Sequence, residues 1–406
     1  MPAAVPGGLH FPARTVSTLR YHRQAGEHWC VAPGSRVTAG ALIGTGRVRQ
    51  HAAGTGEVVR CDTDVLEIEA THTDPEPAFP PLPQHASRPE MLQRIEEAGI
   101  VGLGGGGYPA HLKLLDAARN GVRRLVINAV ECEPGIHCDA ALCEEDEAGT
   151  INAGIRALAR VLDAEVHIAQ GNARFHADAG WTLHALDEPG TPDGHEISLA
   201  RRLFGAALQP GQRPGHQGLV FFNVGTAHAV GRALSGWALT ARMVTVACEN
   251  RWLPVGLPLS ALMPGPWRVG GRLSGAVEEG DAAISKTTNA VHPHQPRMAL
   301  PCIHCARCDV ACPEALPVAD LVRAGLAEGA ERCIECGLCN PVCPSDIDVL
   351  NVIRERKRSL TGKAAANAAA DRAQARYESH KLRLEERAAA RHAKRAERLK
   401  RVRGDA

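Results

Sequence analysis

The sequence lacks three features that would each place it in a well-defined class of protein. It has no uninterrupted apolar run of roughly 18 residues, so we expect no membrane-spanning helix. Its beginning, Met1–Gly8, has neither a charged region nor an apolar core, so we expect no secretory signal and no export by the usual route. It does not have the composition of a disordered chain, because 44% of its 406 residues are hydrophobic. The length suits about two to four folded domains.

Charge is nearly balanced overall but unevenly distributed along the chain. The formal net charge is +1, yet from Arg354 to the end there are 17 basic and 7 acidic residues, against 29 basic and 38 acidic before it. An acidic body with a basic tail is not typical of a nucleic-acid-binding protein, so we expect no nucleic-acid partner. The tail is either a solvated helix or a segment attracted to an anionic membrane surface.

Eight of the fourteen cysteines form two copies of one pattern, Cys-x2-Cys-x2-Cys-x3-Cys-Pro. This pattern is typical of bacterial ferredoxins, in which three close thiolates hold one [4Fe–4S] cluster and the fourth ligates the other cluster. The spacing therefore assigns cluster one to Cys302, Cys305, Cys308 and Cys343, and cluster two to Cys333, Cys336, Cys339 and Cys312.

The alternative to iron–sulfur clusters is a pair of zinc sites, since two Cys-x2-Cys pairs can hold a tetrahedral zinc ion. Zinc requires neither the third evenly spaced cysteine nor the trailing Cys-Pro, and both occur twice, which favours iron–sulfur clusters. The other six cysteines show no comparable spacing and are interpreted as small buried apolar residues. They are Cys30, Cys61, Cys132, Cys138, Cys143 and Cys248.

The sequence predicts a multidomain chain of α/β and β parts. The boundaries are expected as follows: a small all-β module at 1–73, a proline-rich stiff linker at 74–88, an α/β domain at 89–238, a short-stranded β domain at 239–299, a cysteine module at 300–353 and the basic tail at 354–406. Alternating strands and helices in the α/β part predict a mostly parallel sheet.

Several elements are predicted by apolar runs and by glycine or proline at their ends. They are a helix from Pro89 to Gly99, a strand over Leu125–Asn128, one long helix over Asp139–Leu162, strands over Glu165–Ala169 and Arg242–Ala247, and an amphipathic helix in the cysteine module with Leu316, Leu321, Val322 and Leu326.

A glycine-rich loop, Gly102–Gly107, contains the pattern G-x-G-x-x-G. A predicted helix precedes it where the dinucleotide fingerprint requires a strand, so the pattern alone is weak. Five glycines in six positions nevertheless let backbone N–H groups approach a ligand and bind an anion, and Lys113 can add a charge for a phosphate. The alternative is a flexible turn.

Polar side chains follow the predicted strand Leu125–Asn128. Ligands of open α/β sheets bind beyond the carboxyl ends of strands, so Asn128, Glu131 and Glu133 are candidates to bind ribose hydroxyls or a carboxamide. The alternative is a solvated loop with two acids.

Three blocks, Gly102–Leu114, Val126–Pro134 and Phe222–Val230, resemble the RnfC/RsxC family of the Rnf/Rsx ion-translocating electron-transport complex. The same blocks are similar to the flavin- and NADH-binding subunit of respiratory complex I. Gly7–His10 and Ile284–Asn289 also resemble segments of the RnfC/RsxC family, so that the likeness covers about residues 5–355. The chain departs from the family pattern at three places, which are Tyr108 for the usual Phe, Ala110 for the usual Thr, and Gly270–Gly275 in place of a Met-rich glycine segment.

The resemblance implies a barrel-sandwich hybrid N-terminal module, a complex-I-like Rossmann-type flavin/NADH domain, a β-grasp (SLBB-like) insert, a ferredoxin-like α module with two [4Fe–4S] clusters and a helical basic tail. It implies FMN as cofactor and NAD(H) as substrate. The residues implied at the flavin are Gly102, Gly104, Gly105, Gly107, Lys113, Asn128 and Asn223, while Glu131 and Glu133 are implied to face the nicotinamide nucleotide.

The expected function is electron input to a membrane-bound ion-translocating oxidoreductase, from NADH through FMN to the two clusters. The resemblance implies attachment to membrane subunits at the cytoplasmic face of the bacterial inner membrane, with ferredoxin or another cluster protein as electron partner. No side-chain nucleophile or base is needed, because the cofactors perform the chemistry. The alternatives are a non-enzymatic iron–sulfur relay with a degenerate nucleotide pocket and a microcompartment cobalamin reductase.

Overall fold

The computed structural model describes residues 18–360, apart from 25, 147, 172–173, 188, 207, 209–211, 213 and 324–327. The segment Gly7–His10 and the tail from residue 361 onwards lie outside the described residues, and so do the two interpretations of that tail. Within the described part of the chain, no helix is sufficiently long and apolar to cross a membrane.

The N-terminal module is built from short strands, as predicted. These are β1 (Thr18–His22), β2 (His28–Trp29), β3 (Arg36–Val37), β4 (Leu42–Thr45), β5 (Gln50–His51), β6 (Thr55–Cys61) and β7 (Val65–His72). One antiparallel sheet has the order β1–β7–β6–β3 and the other β2–β4–β5. Alternate residues of β1 and β7 point inward, so Leu19 and Ile68 join Ile43 of the second sheet in one core.

The segment predicted as a stiff linker is extended but packs on the domain that follows. The N–H groups of Ala78 and Phe79 donate to the Gly236 carbonyl, at 2.8 and 3.0 Å, and Leu82 donates to Leu234 at 2.8 Å. The Arg94 guanidinium lies over the Phe79 ring, 4.9 Å from its centre. The linker is therefore fixed to one face of the α/β domain.

The α/β domain contains a parallel sheet, as predicted. Its elements are α1 (Arg88–Glu97), α2 (Ala110–Arg119), β8 (Arg124–Ala129), α3 (Cys138–Glu145), α4 (Thr150–Leu162), β9 (Glu165–Gln170), β10 (Thr182–Ala185), α5 (Glu196–Phe204), β11 (Leu219–Asn223) and α6 (Val224–Leu234). The strand order is β10–β9–β8–β11, with every pair parallel. Strand β8 is central and buried along most of its length, which explains its unbroken apolar run.

The predicted helix from Pro89 to Gly99 is confirmed as α1. Ser87 caps it through a capping box with Glu90, whose carboxylate accepts the Ser87 N–H at 2.7 Å. The prediction of one long helix over Asp139–Leu162 is wrong, because α3 and α4 are separate. Gly149 adopts a left-handed backbone with φ of 67°, and the Asp146 carboxylate accepts the first N–H groups of α4.

A mixed sheet follows in chain order. Its strands are β12 (Ala241–Val246), β13 (Glu249–Pro254), β14 (Trp267–Val269), β15 (Ala276–Glu278) and β16 (Ala290–Pro293). The order is β13–β12–β16–β14–β15, and β12 pairs with β16 in parallel. Val244, Leu253 and Trp267 lie in its core. Strand β12 confirms the prediction for Arg242–Ala247 to within a residue at each end.

The cysteine module contains α7 (Arg307–Val310), α8 (Val318–Arg323) and a helix over residues 349–360, here α9. Leu316 and Leu321 are buried in its core, as the amphipathic pattern predicts, while Leu326 lies outside the described residues. The two motifs repeat their backbone as well as their cysteines. Left-handed φ angles recur at matching positions, which are His304 and Glu335, Ala306 and Gly337, and Ala315 and Asp346.

Two buried cations join the domains. The Lys286 ammonium donates to the carbonyls of Arg49, in the β module, and Gly99, after α1, at 2.6 and 2.9 Å. The Arg242 guanidinium donates to the carbonyls of Lys286 and Leu103, at 2.6 and 3.0 Å. The start of the glycine loop is thereby held to both flanking β modules.

Lys286 is expected to make the stability of the protein depend on pH. Burial lowers its pKa from 10.5 to about 7. Between those values the unfolded chain holds a proton that the folded chain has lost, so this contribution to stability increases as pH rises. We expect the melting temperature of the parent, relative to Lys286→Met, to increase between about pH 7 and about pH 10. A constant difference in melting temperature would mean that Lys286 titrates near its ordinary pKa.

Candidate functional site

The glycine loop is a closed turn anchored at both ends. The Gly102 N–H donates to the Tyr108 carbonyl at 2.9 Å, and the Gly107 N–H donates to the Gly102 carbonyl at 3.1 Å. The Leu103 N–H donates to the Thr226 hydroxyl of α6 at 2.9 Å. The chain therefore returns on itself before α2 begins.

The tip of the loop presents backbone donors. Among the described residues, nothing accepts a hydrogen bond from the N–H groups of Gly104, Gly105 or Gly106. Gly105 has a φ of 96°, which L side chains rarely adopt, and a Cβ on Gly107 would lie 2.7 Å from the Thr287 methyl group. Successive free N–H groups of this kind form a concavity suited to an anion such as a phosphate.

A cleft of about 1600 Å³ opens beside the loop. Seven of the nine residues predicted to contact flavin or nucleotide line it: Gly102, Gly104, Gly105, Lys113, Asn128, Glu133 and Asn223. Gly107 and Glu131 do not line it. The cleft is large enough for a flavin mononucleotide together with a second nucleotide, since ligand pockets are usually about 300–1,000 Å³.

Asn128 and Asn223 meet at one edge of the sheet. They are paired in the register of β8 and β11, at the carboxyl ends of two neighbouring parallel strands. The Asn128 amide donates to the Gly194 carbonyl at 2.7 Å, and its oxygen accepts the Val130 N–H at 3.0 Å. The Asn223 oxygen accepts the Gly225 N–H at 2.8 Å and caps α6. The sheet topology thus brings together residues that are far apart in sequence.

Lys113 points along the same cleft. Its ammonium donates to the Glu196 carboxylate at 2.8 Å and lies 5.3 Å from the centre of the Phe222 ring. Glu196 is the first residue of α5, and both partners are partly exposed. An incoming phosphate can therefore compete with Glu196 for this ammonium.

Glu131 is used inside the protein. Its carboxylate accepts the N–H groups of Asp139 and Ala140, at 2.9 and 3.2 Å, and caps α3. Burial, and after it the nearby Asp139 carboxylate, raise the pKa of Glu131 well above its ordinary value. Burial likewise raises the pKa of Asp139 to about 6. Asp139 is thus a buried carboxyl group, and the half-buried Glu131 directly precedes Cys132, which lines the cleft.

Glu133 connects the α/β domain to the segment that departs from the family pattern. Its carboxylate accepts the N–H groups of Leu273 and Ser274, at 2.5 and 3.3 Å, and the Ser274 hydroxyl at 2.5 Å. A Cβ at Gly271 would lie only 1.7 Å from that carboxylate. Residues Gly270–Gly275 therefore form a receptor for the Glu133 side chain, here called the bridge loop. In the sequence, the only trace of this contact is the glycine at position 271, where a side chain would collide with Glu133.

The second cysteine motif packs against the opposite side of the bridge loop. The Asn340 amide donates to the Leu273 carbonyl at 3.0 Å, and Arg354 donates to the Ser274 carbonyl at 2.8 Å. Gly337, with a φ of 75°, has room for no side chain, since a Cβ would lie 2.6 Å from the Leu273 carbonyl. As a result Ile334, beside Cys333, lines the same cleft as the glycine loop. Nothing in the linear sequence indicated this contact.

Cysteines of both motifs meet at one cavity. It is lined by Cys302, Cys305 and Cys308 of the first motif together with Cys343 of the second. Cys312 packs in the same apolar core as Cys333 and Cys339, and Cys308 and Cys343 also border that core. In the described part of the chain, no group of three or more His, Cys, Asp or Glu side chains is close enough together to hold a single metal ion. Four thiols around a cavity suit a cubane cluster, because the cube itself holds its ligands apart.

Glu133→Ala is expected to destabilise the junction between the domains. It removes charge-assisted hydrogen bonds and leaves buried N–H groups unpaired, which costs about 1.5–3 kcal/mol. Thermal unfolding monitored by circular dichroism measures the effect. The matched control is Glu249→Ala, whose ion pair with Arg251 is largely exposed and is expected to contribute at most about 0.5 kcal/mol. Equal melting temperatures of the two variants would contradict a bridging role for Glu133.

Two parts of the chain match family models. Residues 95–232 match the Nuo51 FMN-binding domain, and residues 301–347 match the 4Fe-4S dicluster domain. These matches confirm the predicted FMN and [4Fe–4S] cofactors and a mixed α/β chain with a flavin domain and a two-cluster domain.

Curated relatives share one name, which is that of the C subunit of the ion-translocating oxidoreductase complex. The protein of this name from Cronobacter sakazakii is 30% identical, with 75% of this chain and 45% of the relative covered. Its counterpart from Erwinia tasmaniensis is 33% identical, with 76% and 44% covered. The chain thus spans less than half the length of these two relatives.

Among solved structures, a NAD+-reducing [NiFe]-hydrogenase in the H2-reduced state aligns with a TM-score of 0.40 and 21% identity, over 51% of this chain and 47% of that one. That likeness is too weak to bear on fold or function. The relatives and the two family models agree with the sequence motifs. Over the matched part, the chain is similar to the RnfC/RsxC family, the C subunits of ion-translocating oxidoreductase complexes.

Proposed function

We propose that this protein is the electron-input subunit of a membrane-bound ion-translocating oxidoreductase, with NADH as its electron donor. In this proposal it is peripheral, bound to membrane subunits at the cytoplasmic face of the bacterial inner membrane. Those partner subunits couple electron flow to ion movement. Bound FMN would accept the two electrons of a hydride together and deliver them singly to a cluster.

One observation carries the proposal. The free N–H groups of the glycine loop and Ile334, next to Cys333 of cluster two, line the same cleft. The Glu133 contact with the bridge loop and the Gly337 contact with Leu273 fix the two sides of this cleft relative to each other. A flavin on the loop would therefore share this cleft with the second cysteine motif, whose cluster would be its electron acceptor.

We assign roles to the predicted residues on the same grounds. Gly102, Gly104, Gly105 and Gly107 would admit the FMN phosphate to the backbone, Lys113 would add positive charge, and Asn128 and Asn223 would bind from the strand ends. Glu131 and Glu133 are proposed on the nicotinamide side, where their contacts with α3 and with the bridge loop would shape the wall of the cleft.

For the clusters, we propose the ligand sets that cross between the motifs. Cluster one is held by Cys302, Cys305, Cys308 and Cys343, and cluster two by Cys333, Cys336, Cys339 and Cys312. Support comes from the cavity lined by the first set and from the packing of Cys312 in the core that also contains Cys333 and Cys339.

The finer architecture is proposed with the function. Residues 1–73 would be a barrel-sandwich hybrid module, 74–88 the linker, 89–238 the Rossmann-type flavin/NADH domain, 239–299 the β-grasp (SLBB-like) insert, 300–353 the ferredoxin-like module and 354–406 the basic tail. The seven described strands before residue 73, in two packed sheets, and the five-stranded mixed sheet between 241 and 293 support this division.

The test is cofactor analysis of the full chain purified without oxygen. We expect one FMN and two [4Fe–4S] clusters per chain, and NADH-dependent reduction of ferricyanide. Protein that contains both clusters but neither binds flavin nor oxidises NADH would support the non-enzymatic relay instead. Zinc in place of iron would contradict the electron-transfer function altogether.

A further inference from the structure

Four large apolar side chains around the first cysteine motif are exposed to solvent. They are Met298 at 85%, Leu300 at 58%, Ile303 at 66% and Val310 at 88% relative exposure. They lie on the short segment that contains Cys302, Cys305 and Cys308, and together they are here called the first-motif patch. Large apolar side chains concentrated on one surface of a soluble protein often mark an interaction site.

One residue of the patch lies at the proposed ligands of cluster one. Ile303 lines the cavity that Cys302, Cys305, Cys308 and Cys343 surround, and Cys305 is itself exposed. The Leu300 N–H donates to the Ser345 carbonyl at 2.9 Å, so the segment is anchored where the two motifs meet. Cluster one would therefore be separated from solvent by little more than this patch.

The second motif has the opposite environment. Cys336 and Cys339 are buried. Ile334 occupies the position in its motif that Ile303 has in the first, yet Ile334 faces the cleft while Ile303 faces solvent. The duplicated module thus has an inner end, near the flavin site, and an outer end at the surface.

One cation on the patch segment has no ion-pair partner. Among the described residues, Arg307 is exposed and forms no ion pair, whereas Arg297 pairs with Asp346 at 3.2 Å. Asp309 is turned inward, where its carboxylate accepts the Ala319 N–H at 2.7 Å. An unpaired cation beside an apolar surface complements a partner with acidic residues around an apolar centre.

We propose that the first-motif patch is the docking surface of an iron–sulfur protein whose own cluster lies behind an apolar face with an acidic rim. One electron passes from reduced cluster one to the oxidised cluster of the partner, and no atom is transferred. The inference rests on the proposed function, and it names the surface at which electrons leave the chain.

The test separates docking from electron input. The clusters of the full chain are reduced with dithionite, which is then removed, so that neither FMN nor NADH is needed. The reduced protein is mixed in a stopped-flow instrument with an acidic two-cluster bacterial-type ferredoxin and, separately, with ferricyanide. Failure of NADH oxidation would count against the proposed function only, whereas this measurement concerns the patch.

We expect Val310→Glu and Met298→Glu to slow reduction of the ferredoxin at least about tenfold, because each places a charge of the wrong sign within the contact. Reduction of ferricyanide and the iron content should not change. Leu183→Glu, which alters an exposed leucine on β10, is the matched control and should leave both rates unchanged. Arg307→Gln should weaken the salt dependence of the ferredoxin rate.

Three results would overturn the proposal. The first is an unchanged ferredoxin rate in both patch variants. The second is an equal loss of rate with ferricyanide, which would place the effect on the cluster itself. The third is a concentration-dependent dimer of the parent that the patch variants dissociate, since the occupant would then be a second copy of this chain.

Discussion

Replacing Cys302 and Cys343 together by alanine is expected to leave one iron–sulfur cluster in the protein, although the substitutions lie in different motifs. Alanine cannot coordinate iron, so each substitution removes a ligand. Both are proposed ligands of cluster one, whose cavity they line together. The variant should therefore retain about half of the parent's iron and acid-labile sulfide. Chemical analysis and electron paramagnetic resonance of the dithionite-reduced protein measure the outcome.

The matched control is Cys302→Ala with Cys312→Ala, two substitutions within one motif. Under the crossed assignment this pair removes a ligand from each cluster, so both clusters should be lost. If each motif instead held its own cluster, the results would be reversed: the pair within one motif would retain half of the iron, and the crossed pair would lose nearly all of it. Comparison of these two double variants therefore decides the assignment.

Gly105→Val is expected to abolish FMN binding while the iron content stays at the parent level. The backbone of Gly105 has a φ of 96°, and its N–H is one of the free donors at the loop tip. An L side chain is strained by about 1–2 kcal/mol in a left-handed conformation, so the loop would rearrange and its donors would no longer converge on a phosphate. Fluorescence titration of the flavin-free protein with FMN measures the loss of affinity.

Gly180→Val is the control for backbone strain. Gly180 also has a positive φ, of 91°, and a Cβ there would meet nothing within 4 Å, but it lies just before β10, and neither it nor its two chain neighbours line the cleft. A similar loss of stability with normal FMN affinity is expected. Loss of FMN in both variants would show that general destabilisation, and not the loop tip, causes the effect of Gly105→Val.

Local patterns predicted the parts of this protein whose chemistry is contained in a short segment. The apolar positions of α1, the buried run of β8 and the glycine loop each lie within a few consecutive residues, and the helix, the strand and the loop were each located correctly. The predicted single helix over Asp139–Leu162 failed for a local reason too. Helix-favouring residues continue through the break, but Gly149 turns the backbone and Asp146 starts a new helix.

Contacts between residues that are far apart in sequence could not be predicted from local patterns. Glu133 was predicted to face a nucleotide on the basis of its place after a strand, whereas in the fold its carboxylate is bonded to Leu273 and Ser274. The motif also does not predict that Ile334 faces the cleft while Ile303 faces solvent, because the cysteine pattern is the same in both copies.

The sequence by itself predicted the proposed cluster ligands, the glycine loop and the order of the β and α/β parts, because cysteine spacing, consecutive glycines and apolar periodicity act over short distances along the chain. Only the tertiary structure decided which motif adjoins the cleft and which faces solvent. That choice depends on Glu133, the bridge loop and Gly337, where a side chain 140 positions away along the sequence and a missing Cβ fix the packing of one domain on another.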